Sequence, residues 1–266
     1  MSELPLAARL WLCEPDAETI AQAHEELGLP QAAPAELAQA FTDLFVLNVV
    51  PYGSVFLDPT GELNGPSTEA LSEMFAKEGF DPPELREVAA PDHVGLCLAF
   101  LGERRYEPPG DYEWSWMHAC CIAVQREPGV HPFYRELAGR TMSVIPTTLD
   151  PRPSPLESPL ALRDDKDEVT LGRIVRFFLA PARCGMFLSR GRLGYIARGL
   201  DTRLPFGSRF EVARSLFQAT GEGDRLNELL RLLEQEVEAW ESLSRGEWIK
   251  RLEAARSTIR EMRAIA

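Results

Sequence analysis

Asp92 and His93 set a carboxylate beside an imidazole at the head of an apolar run, in "APDHVGLCLAFL". Such a pair has four chemical uses: acid–base catalysis, metal ligation, capping of the helix that follows, and recognition of a cationic group. Catalysis fits poorly, because adjacent residues at a helix start diverge and no nucleophile lies close in sequence. Metal binding also fits poorly. The four histidines, His24, His93, His118 and His131, are dispersed, and none lies three or four residues from another. Two readings stay open. In one, Asp92 follows Pro91 and caps the helix with its side chain, leaving His93 an incidental first-turn residue. In the other, both groups sit exposed on the rim of a groove, where the carboxylate takes an arginine bidentately.

The segment "DYEWSWMHACC" brings further candidates. Trp114 and His118 are spaced i, i+4 and share a helical face. They read either as core or as the wall of an amphipathic groove. The five cysteines, Cys13, Cys97, Cys120, Cys121 and Cys184, are odd in number and form no C-x-x-C. They read as buried free thiols of a reducing compartment.

The elements that position these groups follow a helical period. Leu37, Phe41, Leu44 and Phe45 share one face, and Leu71, Met74 and Phe75 another, with Ser67 and Thr68 as cap candidates. Val94, Cys97, Leu98 and Leu101 extend the pattern, and further helices are expected at 111–125 and 132–145. "NVVPYGSVF" is punctuated by Pro51 and Gly53 and reads as a loop. Residues 146–168 hold five prolines and read as a linker. Beyond them, Ser189 and Ser208 are expected helix caps, and residues 226–240 carry a stripe of leucines ending at Val237 and Trp240. The expectation is an all-α, bundle-like protein of about ten helices. It has an acidic helical core at 1–145, a linker at 146–168 and a C-terminal helical region at 169–266.

Charge is uneven along this framework. Residues 1–165 carry 10 Lys/Arg and 27 Asp/Glu, a net of −17; residues 166–266 carry 18 and 14, a net of +4. The acidic half disfavours nucleic acid and anionic membranes, and it reads either as a surface that keeps the protein in solution or as one that favours a basic partner. No apolar run approaches the roughly 20 residues of a membrane span, and no signal segment is read, so a cytoplasmic protein is expected.

"PYGSVFLD", "LNGPSTEALSEMFAKEGF", "APDHVGLCLAFLG" and "HPFYRELAGRTMSVI" occur in this order across residues 37–145. In that order and spacing they resemble the TorD/DmsD/NarJ family of molybdoenzyme maturation chaperones. The resemblance implies a helical chaperone without catalytic activity or cofactor of its own. It would bind the twin-arginine leader or N-terminal region of a molybdoenzyme catalytic subunit and assist cofactor insertion before export. It carries Asp92 and His93 over as leader-contact or hinge residues, and Tyr52 and Ser54 as weaker contacts. The family's frequent Glu-Pro-x-Asp-His is altered here: Ala89 stands at the glutamate position and the proline falls one place later, at Pro91. The competing reading is a helical adaptor that binds another folded protein.

Overall fold

A computed structural model describes residues 3–81, 90–104, 112–145 and 170–265. These residues are all-α, with fourteen α-helices, one π-helical turn and no strand. The helices beyond the expected ten include α1 (Glu3–Leu12) and α2 (Ala17–Leu27), and the short α4 (Gly53–Leu57) and α10 (Pro181–Cys184). The chain divides into two compact units, Met1–Asp58 with Glu62–Arg152, and Pro59–Gly61 with Pro153–Ala266. The expected linker at 146–168 lies outside the described residues.

In the first unit, α1 lies against α6 (Val94–Glu103). Gly95 makes that approach possible: a Cβ there would sit 2.4 Å from Leu12 Cγ and 2.7 Å from the Ala8 carbonyl oxygen. Trp11 on α1 donates its indole N–H to Thr141 Oγ1 on α8 (Pro132–Val144) at 2.9 Å. Tyr134 on α8 donates to the Leu37 carbonyl of α3 (Pro34–Phe41) at 3.1 Å. These bonds satisfy buried donors whose desolvation would otherwise cost about 1–3 kcal/mol each. The rings of Trp11, Phe41, Phe45 and Tyr134 pack around them at 5.0–6.2 Å between centroids.

Several local expectations shift by a residue or a turn. The face of Leu37, Phe41, Leu44 and Phe45 is helical throughout, but residues Thr42–Val46 form a π-helical turn. Ser67 and Thr68 are not caps of α5 (Pro66–Glu78). Gly65 is the N-cap and Pro66 opens the helix, its fixed φ already suited to a first turn. The Asp58 carboxylate instead accepts from the Ser67 backbone N–H and hydroxyl, at 3.3 and 3.0 Å. The helix expected over 111–125 is α7 (Trp116–Arg126), preceded by a turn. In "NVVPYGSVF", residues 48–51 are irregular as expected, but α4 begins at Gly53.

The second unit contains α9 (Leu171–Leu179), α10, α11 (Arg190–Gly199), α12 (Arg209–Glu222), α13 (Leu226–Glu241) and α14 (Glu247–Ile265). Ser189 and Ser208 cap α11 and α12 as expected, Ser208 in a reciprocal capping box with Glu211. On α13, Leu229, Leu230, Leu233, Val237 and Trp240 are buried. Glu236 is buried on the same helix and pairs with Arg192 of α11. Gly185 ends α10 in the left-handed region at φ 74°, where a Cβ would meet Leu252 N at 2.7 Å.

Candidate functional site

The Asp92–His93 pair is built by a two-sided crossing of chain segments. Gly53 N–H donates to the Asp92 carbonyl at 2.8 Å and Val94 N–H donates to the Pro51 carbonyl at 2.9 Å. This makes an isolated antiparallel bridge between Tyr52 and His93. The Asp92 carboxylate then accepts from the Ser54 backbone N–H at 2.7 Å, which caps α4 rather than α6. His93 caps α6 itself: its Nδ1 accepts from Gly95 N–H at 3.0 Å. The cap expected at Asp92 therefore falls one residue later, because the bridge turns the Asp92 side chain toward the opposite segment.

The same bridge overturns the expected exposure. Asp92 is 0% and His93 7% exposed, so neither stands on an open rim. Burial pushes the His93 imidazole down to about 3, and the accepted hydrogen bond assigns its proton to Nε2. The Tyr52 ring meets the imidazole edge-on at 4.9 Å. Burial, and then the Asp92 charge, raises the Tyr52 phenol above its ordinary range.

Beneath this bridge, polar atoms converge on one glycine. A Cβ at Gly53 would lie 2.8 Å from Tyr112 Oη, 3.2 Å from Trp116 Cε2 and 3.3 Å from Asp92 Cβ. Asp92 Oδ1, Ser54 Oγ, Tyr112 Oη and Trp116 Nε1 are buried without a hydrogen-bond partner among the described residues. Burial raises the Tyr112 phenol well above its ordinary range, with the Asp92 charge adding to it. Cys97, also buried, has its thiol raised by burial and then by Asp92, so it is a neutral thiol.

The remaining sequence candidates separate. Ser54 and Trp114 are fully buried, whereas Tyr52 and His118 are half-buried. Trp114 stacks on Phe100 at 5.9 Å and lies in the turn ahead of α7, so it and His118 do not form one open helical face. Four of the five cysteines are buried and Cys13 is half-buried, and none of the five forms a disulfide.

An open cleft elsewhere in the first unit went unnoticed in the sequence. It has a volume of about 320 Å³ and lies between α3 with its π-helical turn and the connection from α7 to α8. Glu36, Asp43, Glu127 and His131 bring charge and polarity to it; Ala40, Leu44, Val130 and Pro132 bring apolar surface. Glu36 Oε1 lies 3.0 Å from His131 Nε2. The π-helical turn that supplies Asp43 and Leu44 also leaves Val46 62% and Leu47 47% exposed. The available signal was Glu36 and Asp43 seven residues apart, two helical turns on one face. Their partners from 127–132 are about ninety residues away.

The arrangement suits binding rather than bond-making. The buried imidazole is neutral, the buried thiols are protonated, and the open cleft offers carboxylates beside apolar walls. Among the described residues, no three His, Cys, Asp or Glu side chains gather as a metal site, and no helix is long and apolar enough to cross a membrane.

A search of curated proteins and a search of solved structures returned no match. Residues 12–121 match the family model described as the nitrate reductase delta subunit; residues 122–266 lie outside the match. Over this stretch, less than half of the chain, the sequence is similar to that family, a family of molybdoenzyme maturation chaperones and the one its Asp-His segment resembles.

Proposed function

We propose that the protein is a cytoplasmic chaperone that binds the twin-arginine leader or N-terminal region of a molybdoenzyme catalytic subunit. It holds that subunit while cofactor is inserted and releases it for assembly or export. The family match over residues 12–121 carries this reading.

The chemistry of the first unit supports it. A leader presents adjacent arginines followed by an apolar run. The cleft offers the exposed carboxylates of Asp43 and Glu36, the latter beside His131, over a floor that includes buried Leu44, Val130 and Glu127, with Val46 and Leu47 exposed on the same segment. Carboxylates there can take guanidinium groups bidentately while the apolar run covers the exposed side chains. In this reading Asp92, His93, Ser54 and Trp114 hold the framework, being buried, and half-buried Tyr52 and His118 keep atoms within reach of a client.

Removal of the protein from its native cell tests the reading. The client catalytic subunit is expected to accumulate without its molybdenum cofactor. Full maturation in the absence of the protein would contradict the proposal.

A further inference from the structure

The two exposed carboxylates of the cleft are not alike. Glu36 Oε1 lies 3.0 Å from His131 Nε2. His131 is the N-cap of α8, and its Nδ1 accepts from the Phe133 backbone N–H at 3.1 Å. That acceptor role assigns the ring proton to Nε2. An imidazole held in place by its own helix therefore donates to Glu36, and Oε2 is left as the oxygen without a partner among the described residues. Asp43 sits seven residues on, in the π-helical turn. It is exposed, and Asn48 Nδ2 donates to its backbone carbonyl at 2.8 Å. Its carboxylate has no hydrogen bond or ion pair among the described residues. Val46 and Leu47 follow it, 62% and 47% exposed.

In chain order this run presents a carboxylate engaged by imidazole, a free carboxylate and a bare apolar pair. Helical rise sets the two acidic residues about 10 Å apart. Neighbouring long side chains of an extended peptide cover that span, because they leave the backbone on opposite sides. The two positions ask for different cations. A free carboxylate takes two parallel N–H groups of a guanidinium, a geometry that an ammonium point charge does not reproduce. A carboxylate with one oxygen engaged offers a charge and a single acceptor, which either cation meets. Resting on the reading of the cleft as the leader site, we infer that its two cation positions differ in specificity and that the apolar pair sets the direction of the client. The cation next to the client's apolar run meets Asp43, where arginine is required. The cation before it meets Glu36, where lysine serves as well. His131 determines this tolerance by acting through Glu36.

Calorimetric titration of the full chain at low salt with three synthetic peptides tests the inference. One peptide carries two adjacent arginines followed by a leucine–alanine run; the others replace the first or the second arginine with lysine. Lysine at the second position is expected to weaken binding about tenfold, and lysine at the first by less than about twofold. His131→Ser keeps a capping hydroxyl on α8 with a side chain too short to reach Glu36. It frees Oε1, so lysine at the first position is then expected to cost about fivefold, with the helical circular dichroism spectrum unchanged. Glu36→Gln leaves the α8 cap in place and is expected to weaken the two-arginine peptide and the first-position lysine peptide by the same factor. Equal losses from the two lysine peptides, the reverse order, unequal effects of Glu36→Gln, or a first position still tolerant of lysine in His131→Ser would each overturn the inference while leaving the cleft a leader site. Absence of binding by the two-arginine peptide would overturn that reading, and the inference with it.

Discussion

The Asp92 carboxylate accepts a hydrogen bond at 2.7 Å from the backbone N–H of Ser54, thirty-eight residues earlier in the chain. Both residues are fully buried. The most conspicuous polar pair in the sequence therefore ties two segments of the first unit together, and its acid caps a helix other than the one it precedes. Removing that acceptor leaves the Ser54 N–H buried and unbonded. Asp92→Ala is expected to cost about 2–3 kcal/mol of stability, while Asp92→Asn, which keeps an acceptor oxygen, costs less. Urea unfolding of the two variants against wild type measures this.

Gly53 is the point on which Tyr112, Trp116 and Asp92 close. Gly53→Ala places a methyl group 2.8 Å from Tyr112 Oη, nearer than atoms of those kinds approach without displacement. The expected loss is about 1–3 kcal/mol. Tyr112→Phe removes the nearest atom, so the double variant is expected to recover part of that loss. A double-mutant cycle measured by thermal unfolding should show coupling between the two sites of about 0.5 kcal/mol or more.

His93 gives the fold an acid sensitivity of known sign. Its imidazole titrates at about 3 in the folded chain, against an ordinary 6.5, because burial penalises the cation. Between those values the unfolded chain binds the extra proton. The stabilisation is complete above about pH 6.5 and is lost as pH falls from there toward 3, by up to about 1.4 kcal/mol per pH unit. His93→Asn keeps an acceptor at the cap and does not titrate. Stability measured at pH 7.5, 6 and 5 is expected to fall more steeply for wild type than for this variant.

Features that depend on neighbours in sequence were legible before the fold was known. The stripe over residues 226–240 and the caps at Ser189 and Ser208 follow from spacing within a turn or two, and they appear as read except that Leu226, the first of the stripe, is only half-buried. The fate of Asp92 was not legible. It depends on Val94 bonding the Pro51 carbonyl, a pairing across more than forty residues with no periodic trace. α4 was hidden for the same reason, since its first turn rests on acceptors supplied by Asp92. The acidic cleft lay beyond reach too. Glu36 and His131 belong to helices that meet only in the folded unit, and each alone reads as an ordinary polar surface residue.

The central claim is that the acidic cleft takes a cationic, apolar client tail. Calorimetric titration of the cognate twin-arginine leader peptide into the full chain tests it most directly. The account predicts binding in roughly the micromolar range or tighter, weakened by added salt and weakened about tenfold or more by Asp43→Lys. No heat of binding at low salt, or binding unchanged by both salt and Asp43→Lys, would contradict it.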